Sequence, residues 1–380
     1  MTTYKKNFKR YKEVLSMSLD YMLDQTIDTV EELDRYIKLS KEEKKSLKKV
    51  IAKHPMSISR YYLSLINKDD PNDPIRRMII PSVEELDPSG YYDTSGEADN
   101  TKMIGLQHKY PQTALILSTN KCAAYCRYCF RKRMVGLSGR EIIQNFSDAA
   151  DYIKKHKEIS NVLISGGDPL TLPTDIIRKF LEMLSEIDHL YFIRFGTKIP
   201  VTLPERISTD DELLSVFKEF SVPNRRIYIV TQFNHPNEIT EESISTIDLL
   251  LRSNVLVNNQ SVLLNGVNDN PDVLAELMKR LVSIGVSPYY VFQCRPVKRV
   301  THFQVPLING YRIIKETKNR LDGFGKRFRY VMSHKTGKIE IVGMIDDDMY
   351  FKYHQAKDPK DRGKFFKKKI TKDARWFDDL

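Results

Sequence analysis

The stretch TALILSTNKCAAYCRYC, residues 113–129, opens with an apolar, partly β-branched run and closes on three cysteines spaced CxxxCxxC. The first seven residues read as a strand and the remainder as the loop that leaves its carboxyl end. The same rhythm recurs downstream. Strand-like runs appear at NVLISGG (161–167), YFIRFGT (191–197), RIYIVTQ (226–232), VLVNNQSV (255–262) and PYYVFQC (288–294). Between them lie amphipathic segments such as SDAADYIKKH, TDIIRKFLEMLSEI, DDELLSVFKEF, EESISTIDLLL and DVLAELMKRLVSI, with apolar residues at helical spacing. Six strand–helix units in this order specify an α/β protein with a parallel sheet, curved into a full or partial TIM-type (β/α)6 barrel. Ligands of such sheets gather at the carboxyl ends of the strands. Polar or glycine-bearing sequence recurs there, as STNKC, SGGDP, GTKIP, TQFNHP and NNQS.

On either side of the core, at 106–300, the pattern changes. Residues 1–105 form a helical extension and linker: TVEELDRYIKLSKEEKKSLKKVIAKH is rich in helix formers, and Pro71, Pro74 and Pro81 punctuate the polar stretch behind it. In 301–355, the helix PLINGYRIIKETKNRLDG precedes the strand-like runs FRYVMSH, KIEIVGM and MYFKYHQ, expected to form a small antiparallel sheet over the barrel mouth. Residues 356–380 are expected to be a poorly ordered basic tail.

With 380 residues, 41% hydrophobic and 29% charged, the chain can bury a large core. No apolar run approaches the roughly 18 residues of a membrane span. MTTYKKNFKRYKEV has no apolar stretch behind its basic residues, so it does not read as a secretory signal and a cytoplasmic protein is expected. Of the net charge of +11, residues 356–375 contribute nine Lys/Arg against three Asp. A charge excess concentrated in one tail reads as a solvated segment, so neither a membrane nor a nucleic-acid partner is expected.

Only four cysteines occur, three of them within eight residues. A disulfide framework would spread them through a small secreted chain. Clustering points instead to metal ligation by Cys122, Cys126 and Cys129, with Cys294 a plain buried thiol. Thiolates suit iron–sulfur clusters, and compact spacing lets one loop wrap one cluster. Three thiolates leave one iron of a four-iron cluster open, as a site that does chemistry requires. Structural zinc and simple buried cysteines are the alternatives; zinc lacks a fourth ligand, since Tyr128 is a poor one.

CxxxCxxC after the first strand of a βα barrel resembles the radical S-adenosylmethionine (SAM) superfamily. That resemblance implies a [4Fe-4S] cluster whose open iron binds SAM and cleaves it to a 5′-deoxyadenosyl radical. Gly166, Gly167 and Asp168 stand where the superfamily's GGE-like motif meets the SAM amino group, glycine allowing close backbone approach. Longer stretches resemble the lysine 2,3-aminomutase branch: KYPQTALILSTNKCAAYCRYCFRKR, LISGGDPL, IRFGTKIPVTLPERI, QFNHPNEIT, NNQSVLLNGVND and SPYYVFQC, together covering about 105–295. In that branch pyridoxal phosphate (PLP), held as a Schiff base on a lysine, assists migration of an amino group between adjacent carbons.

The resemblance makes Arg131 the grip on the substrate carboxylate, Arg194, Gln232 and Gln260 cofactor contacts, and Lys338 the first candidate for the PLP lysine, with Lys335 second. The family's phosphate-binding arginines fall at Lys109 and Thr113. Its two amine-binding aspartates fall at Arg295 and Val331, so free lysine is not the expected substrate and Arg295 becomes a substrate contact of opposite sign. The expected activity is 2,3-amino migration on an amino acid with an acidic or neutral side chain. The expected partners are that small molecule and an electron donor such as flavodoxin or ferredoxin, with the chain a homo-oligomer. Two alternatives remain open: a radical SAM enzyme of this branch that works without PLP, and an iron–sulfur protein that binds or modifies RNA.

Overall fold

The computed structural model describes residues 19–380. The chain enters its sheet through an antiparallel meander, β1 (Thr101–Met103) and β2 (Leu106–Tyr110), that leads into β3 (Thr113–Thr119). Five further strands then add in sequence order and in parallel: β4 (Asn161–Gly166), β5 (Phe192–Gly196), β6 (Arg226–Thr231), β7 (Leu256–Leu263) and β8 (Ser287–Gln293). The intervening helices pack one apolar stripe inward. Thr174–Ser185 buries Ile177, Phe180, Leu181 and Leu184, and Pro271–Ser283 buries Leu274, Ala275, Leu277, Met278 and Leu281. This is the expected partial barrel. Its sheet runs β1 to β12 with β1 and β12 as edges, so it does not close on itself.

The C-terminal region differs from the expectation of a separate small sheet. After the helix Leu307–Asn319, β9 (Arg329–His334) pairs in parallel with β8 as a seventh barrel strand. Only then does the chain turn antiparallel, through β10 (Gly337–Ile345), β11 (Asp348–Ala356) and β12 (Phe365–Lys369). A run such as FRYVMSH carries no mark of its partner, and the helix before it supplies the crossover that parallel pairing needs. The basic tail is likewise not loose. Ile370, Ala374 and Trp376 are buried, the Leu307 N–H donates to the Ala374 carbonyl at 2.8 Å, and Gln293 Nε2 donates to the Arg375 carbonyl at 2.9 Å. Apolar residues spaced among the lysines dock the segment. On the edge strand β12, Lys367 and Lys369 stay exposed, which discourages further strand addition.

The described part of the N-terminal extension is a set of short helices, among them Val30–Tyr36, Lys41–Ile51 and Pro74–Ile79; residues 1–18 of the expected helical region lie outside the described residues. Ser40 caps the second of these with a full capping box. The extension grips the cysteine loop. Ile58 bridges Ala124, the Tyr125 N–H donates to the Ser57 carbonyl at 2.8 Å, and the Arg127 N–H donates to the Met78 carbonyl at 2.8 Å. Among the described residues no helix is long and apolar enough to cross a membrane.

Candidate active site

Cys122, Cys126 and Cys129 line a cavity of about 360 Å³ bounded by the barrel strands and by β9–β11. The loop that bears them is held by a buried ion cluster. Arg127 donates from Nε and Nη2 to the two oxygens of Glu85 at 2.8 and 2.7 Å, and Lys132 Nζ donates to Glu85 Oε2 at 2.6 Å. Burial alone would raise the Glu85 carboxyl, but the two cations hold it down at about 2. Burial also pushes the Cys122 thiol well up and the Cys129 thiol to about 11, so only a strongly bound metal would displace their protons. No three His, Cys, Asp or Glu side chains among the described residues converge tightly enough for a single ion. All three thiols, carried on one loop, line the same cavity, and three soft thiolates so placed fit an iron–sulfur cluster. Cys294 is buried and its Sγ contacts the Arg295 carbonyl, as expected of a structural thiol.

Gly166 and Gly167 end β4 directly behind this loop. Gly166 has φ +127°, and a Cβ there would meet the Thr119 carbonyl oxygen; at Gly167 it would meet that of Lys121. The Gly167 and Asp168 N–H groups donate to those carbonyls at 2.5 and 2.7 Å. The glycines therefore let two loops touch, where the sequence suggested only approach to a ligand. Asp168 is also spent within the protein. Its Oδ1 accepts from Thr197 Oγ1 at 2.6 Å and from the Leu170 N–H at 3.0 Å, and its Oδ2 accepts from the Lys198 N–H at 2.6 Å. It pins the β4 loop to the β5 loop, although the residue lines the cavity beside Gly166 and Gly167.

The expected substrate arginine, Arg131, is largely committed. Its Nε donates to Glu97 Oε1 at 3.2 Å and its Nη1 to Ser165 Oγ at 3.1 Å and the Gly166 carbonyl at 3.3 Å, while Nη2 pairs with Glu97 at 3.2 Å. Arg133 takes the other Glu97 oxygen at 2.5 Å. Arg295 is the opposite case. It lies deep at the cavity wall, its guanidinium 4.3 Å from the Phe130 ring centroid, and has no hydrogen-bond acceptor among the described residues. Burial lowers it to about 10, only partly opposed by Glu97. Val331, the other expected specificity position, is wholly buried in β9, and Ser333 faces the cavity in its place.

The two candidate PLP lysines separate cleanly. Lys335 is 62% exposed in the β9–β10 turn, 3.7 Å from Asp378. Lys338, on β10 opposite Ser333 and Gln355, lines the cavity. Its amine stands 4.2 Å from the Tyr290 ring centroid without a hydrogen-bond acceptor among the described residues. Burial lowers it to about 7, with Arg194, Arg295 and Lys109 adding to the effect. An aldehyde cofactor needs such a neutral, desolvated amine, so these residues fit PLP.

Arg194 is not at a strand end, where SAM was expected, but in the middle of β5, its Nη2 donating to Asn161 Oδ1 at 2.5 Å. Gln232 and Gln260 line the cavity, Gln232 accepting from the Tyr128 hydroxyl at 3.3 Å. Sequence reasoning missed Glu85 and Glu97. Each sits in a polar linker, and the only available signal was a carboxylate inside an otherwise proline-punctuated stretch.

A parallel barrel sheet with CxxxCxxC after its first parallel strand and Gly-Gly-Asp after its second defines a radical SAM enzyme, and the Radical SAM superfamily model matches residues 116–278. The family's cofactors are a [4Fe-4S] cluster and SAM. Relatives cover much more of the chain. A putative L-lysine 2,3-aminomutase of Aquifex aeolicus (strain VF5) is 41% identical over 366 residues, 96% of each chain. The L-lysine 2,3-aminomutase of Clostridium subterminale is 40% identical over 78% of this chain and 71% of its own. The glutamate 2,3-aminomutase of Clostridioides difficile (strain 630) is 37% identical over 83% of this chain and 76% of its own. The chain belongs to the lysine 2,3-aminomutase-like branch of the radical SAM enzymes.

Proposed function

We propose that the protein moves an amino group between adjacent carbons of a free amino acid with an acidic or carboxamide side chain, and does not act on free lysine. The observation that carries this reading is the Arg295 guanidinium, at the cavity wall and without an acceptor among the described residues. Charge balance points the same way. The lining holds Lys109, Arg131, Arg194, Lys198, Arg295 and Lys338 against only Glu97 and Asp168. Both carboxylates are already engaged, by Arg131 and Arg133 and by Thr197 and backbone N–H groups respectively. An ammonium side chain would find no free counter-charge, while a carboxylate would find Arg295. The relative named glutamate 2,3-aminomutase supports an acidic substrate within this branch.

Cys122, Cys126 and Cys129 would hold the cluster, with the backbone at Gly167 and the side chains of Gln232 and Gln260 beside SAM. Together these groups supply, when bound, a radical able to abstract hydrogen. Lys338 would hold PLP through its aldehyde, with loss of water, and PLP would supply an unsaturated system next to the migrating nitrogen. The chain's own part is positional. Arg295 takes the side-chain carboxylate, and the remaining Nη2 proton of Arg131 is left for the α-carboxylate. Lys338 presents an uncharged amine near neutral pH. The enclosing strands limit the water that reaches the reacting atoms.

The test is anaerobic turnover of reconstituted enzyme with SAM, dithionite and single amino acids, isomers being resolved by chromatography. Glutamate, glutamine or asparagine should give β-amino isomers. Efficient conversion of lysine alone would overturn the reading.

A further inference from the structure

Three cations share the cavity with Lys338 and act on its amine: Arg194, Arg295 and Lys109. A cofactor joined to Lys338 through an aldehyde, as the PLP reading of that lysine requires, also carries a phosphate monoester, a compact dianion that needs a fixed cation. Which of the three cations serves it therefore rests on that reading.

Lys109 is poorly placed for that role. Its amine donates to the Ser95 carbonyl at 3.0 Å and the His334 carbonyl at 2.6 Å, and burial lowers it to about 7, so it carries little dependable charge. Thr113 has no charge, and its hydroxyl donates to Asn161 Oδ1 at 3.3 Å. Arg295 packs against Phe130 in the cysteine loop and is the group assigned to the substrate's side-chain carboxylate. Arg194 remains. Its Nη2 is fixed by Asn161, which is itself held by donation from Nδ2 to the Gln112 carbonyl at 2.7 Å. Its Nε has no acceptor among the described residues. It neighbours Tyr289 and Tyr290, and the Tyr290 ring lies under the Lys338 amine. Thr113, in register with Asn161, and Arg194, two residues beyond Asn161's partner Phe192, both donate to Asn161 Oδ1, so the positive charge stands on β5 where β3 has none.

We propose that Arg194 is the anchor for the phosphate of the cofactor that Lys338 holds, replacing the charge that position 113 lacks. A guanidinium with one edge fixed and other donors free suits a phosphate, because little side-chain freedom remains to be lost on binding.

The experiment titrates cofactor-stripped protein with PLP and, separately, with pyridoxal, which has the aldehyde but no phosphate. Binding is followed by absorbance and by borohydride trapping at Lys338. Arg194→Gln should weaken PLP by about 30-fold or more and pyridoxal far less, and Arg194→Lys should restore part of the loss. Inorganic phosphate should compete with PLP in the wild type and much less in Arg194→Gln. Iron content after reconstitution should match wild type, showing that the barrel is intact. Equal loss of PLP and pyridoxal, or unchanged PLP affinity, overturns the assignment alone. Absence of any Lys338 adduct in the wild type overturns the PLP reading and this assignment with it.

Discussion

Replacing Arg295 by Met should improve the stability of the ligand-free protein while damaging the reaction. Burial takes the guanidinium from its ordinary 12.5 to about 10, a penalty of at most about 3 kcal/mol for holding the charged form. Water in the cavity reduces that figure, because part of the side chain faces it. The contact with Phe130 returns about 1–2 kcal/mol and is lost in the variant. Methionine fills similar volume without a charge, so the net gain is about 1 kcal/mol and the melting temperature should rise by a degree or more. In the loaded site the sign reverses. Removing the cation from a buried carboxylate typically costs about 2–5 kcal/mol, a fall of roughly 30-fold to several thousand-fold in kcat/KM for an acidic substrate. Calorimetry of the apo protein and anaerobic steady-state kinetics measure the two halves, with iron content as the control. The reasoning is refuted if Arg295→Met loses several degrees of stability, or if kcat/KM stays within twofold of wild type.

Three further outcomes are expected. Alanine at Cys122, Cys126 or Cys129 should abolish or badly destabilise the cluster, whereas Cys294→Ala should retain full iron and sulfide; full iron in Cys126→Ala would contradict the ligand set. Gly167→Val should lose iron as well as SAM-induced changes in the electron paramagnetic resonance spectrum, because a side chain there displaces the Lys121 carbonyl next to Cys122; a normal cluster in that variant would show that the two loops do not depend on each other. Trapping of PLP at Lys338 should accelerate as pH rises to about 7 and then level off, since the neutral amine is already the main form above that value. The depressed value also means that the charged amine weighs against folding below about 7 and less so as pH climbs towards 10.5. Lys338→Met should therefore stabilise the apo protein most at low pH, and a trapping rate still climbing at pH 9 would argue for an exposed lysine such as Lys335.

The β/α order, the strands from Thr113 to Gln293 and the cysteine triad were legible because each rests on local pattern: hydrophobic period, turn residues and ligand spacing. The same holds for the separation of Cys294 from the other thiols. Pairing choices were less legible. FRYVMSH is a strand by composition, but its parallel seat beside β8 depends on the helix Leu307–Asn319 crossing the sheet. The tail from 356 reads as charge, yet burial of Trp376 and Ile370 decides that it docks.

What the sequence determined by itself was chemistry bound to short range: which thiols could share a cluster, which glycines could sit at a strand end, and which positions had changed sign. Tertiary structure alone decided which charges are neutralised. Glu97 lies 34 residues from Arg131 in the chain yet occupies it, Glu85 lies 42 residues from Arg127 and fixes the loop, and Arg295 meets no acceptor among the described residues. A side chain's availability depends on its partners in space, and electrostatics across a folded cavity takes no account of sequence separation.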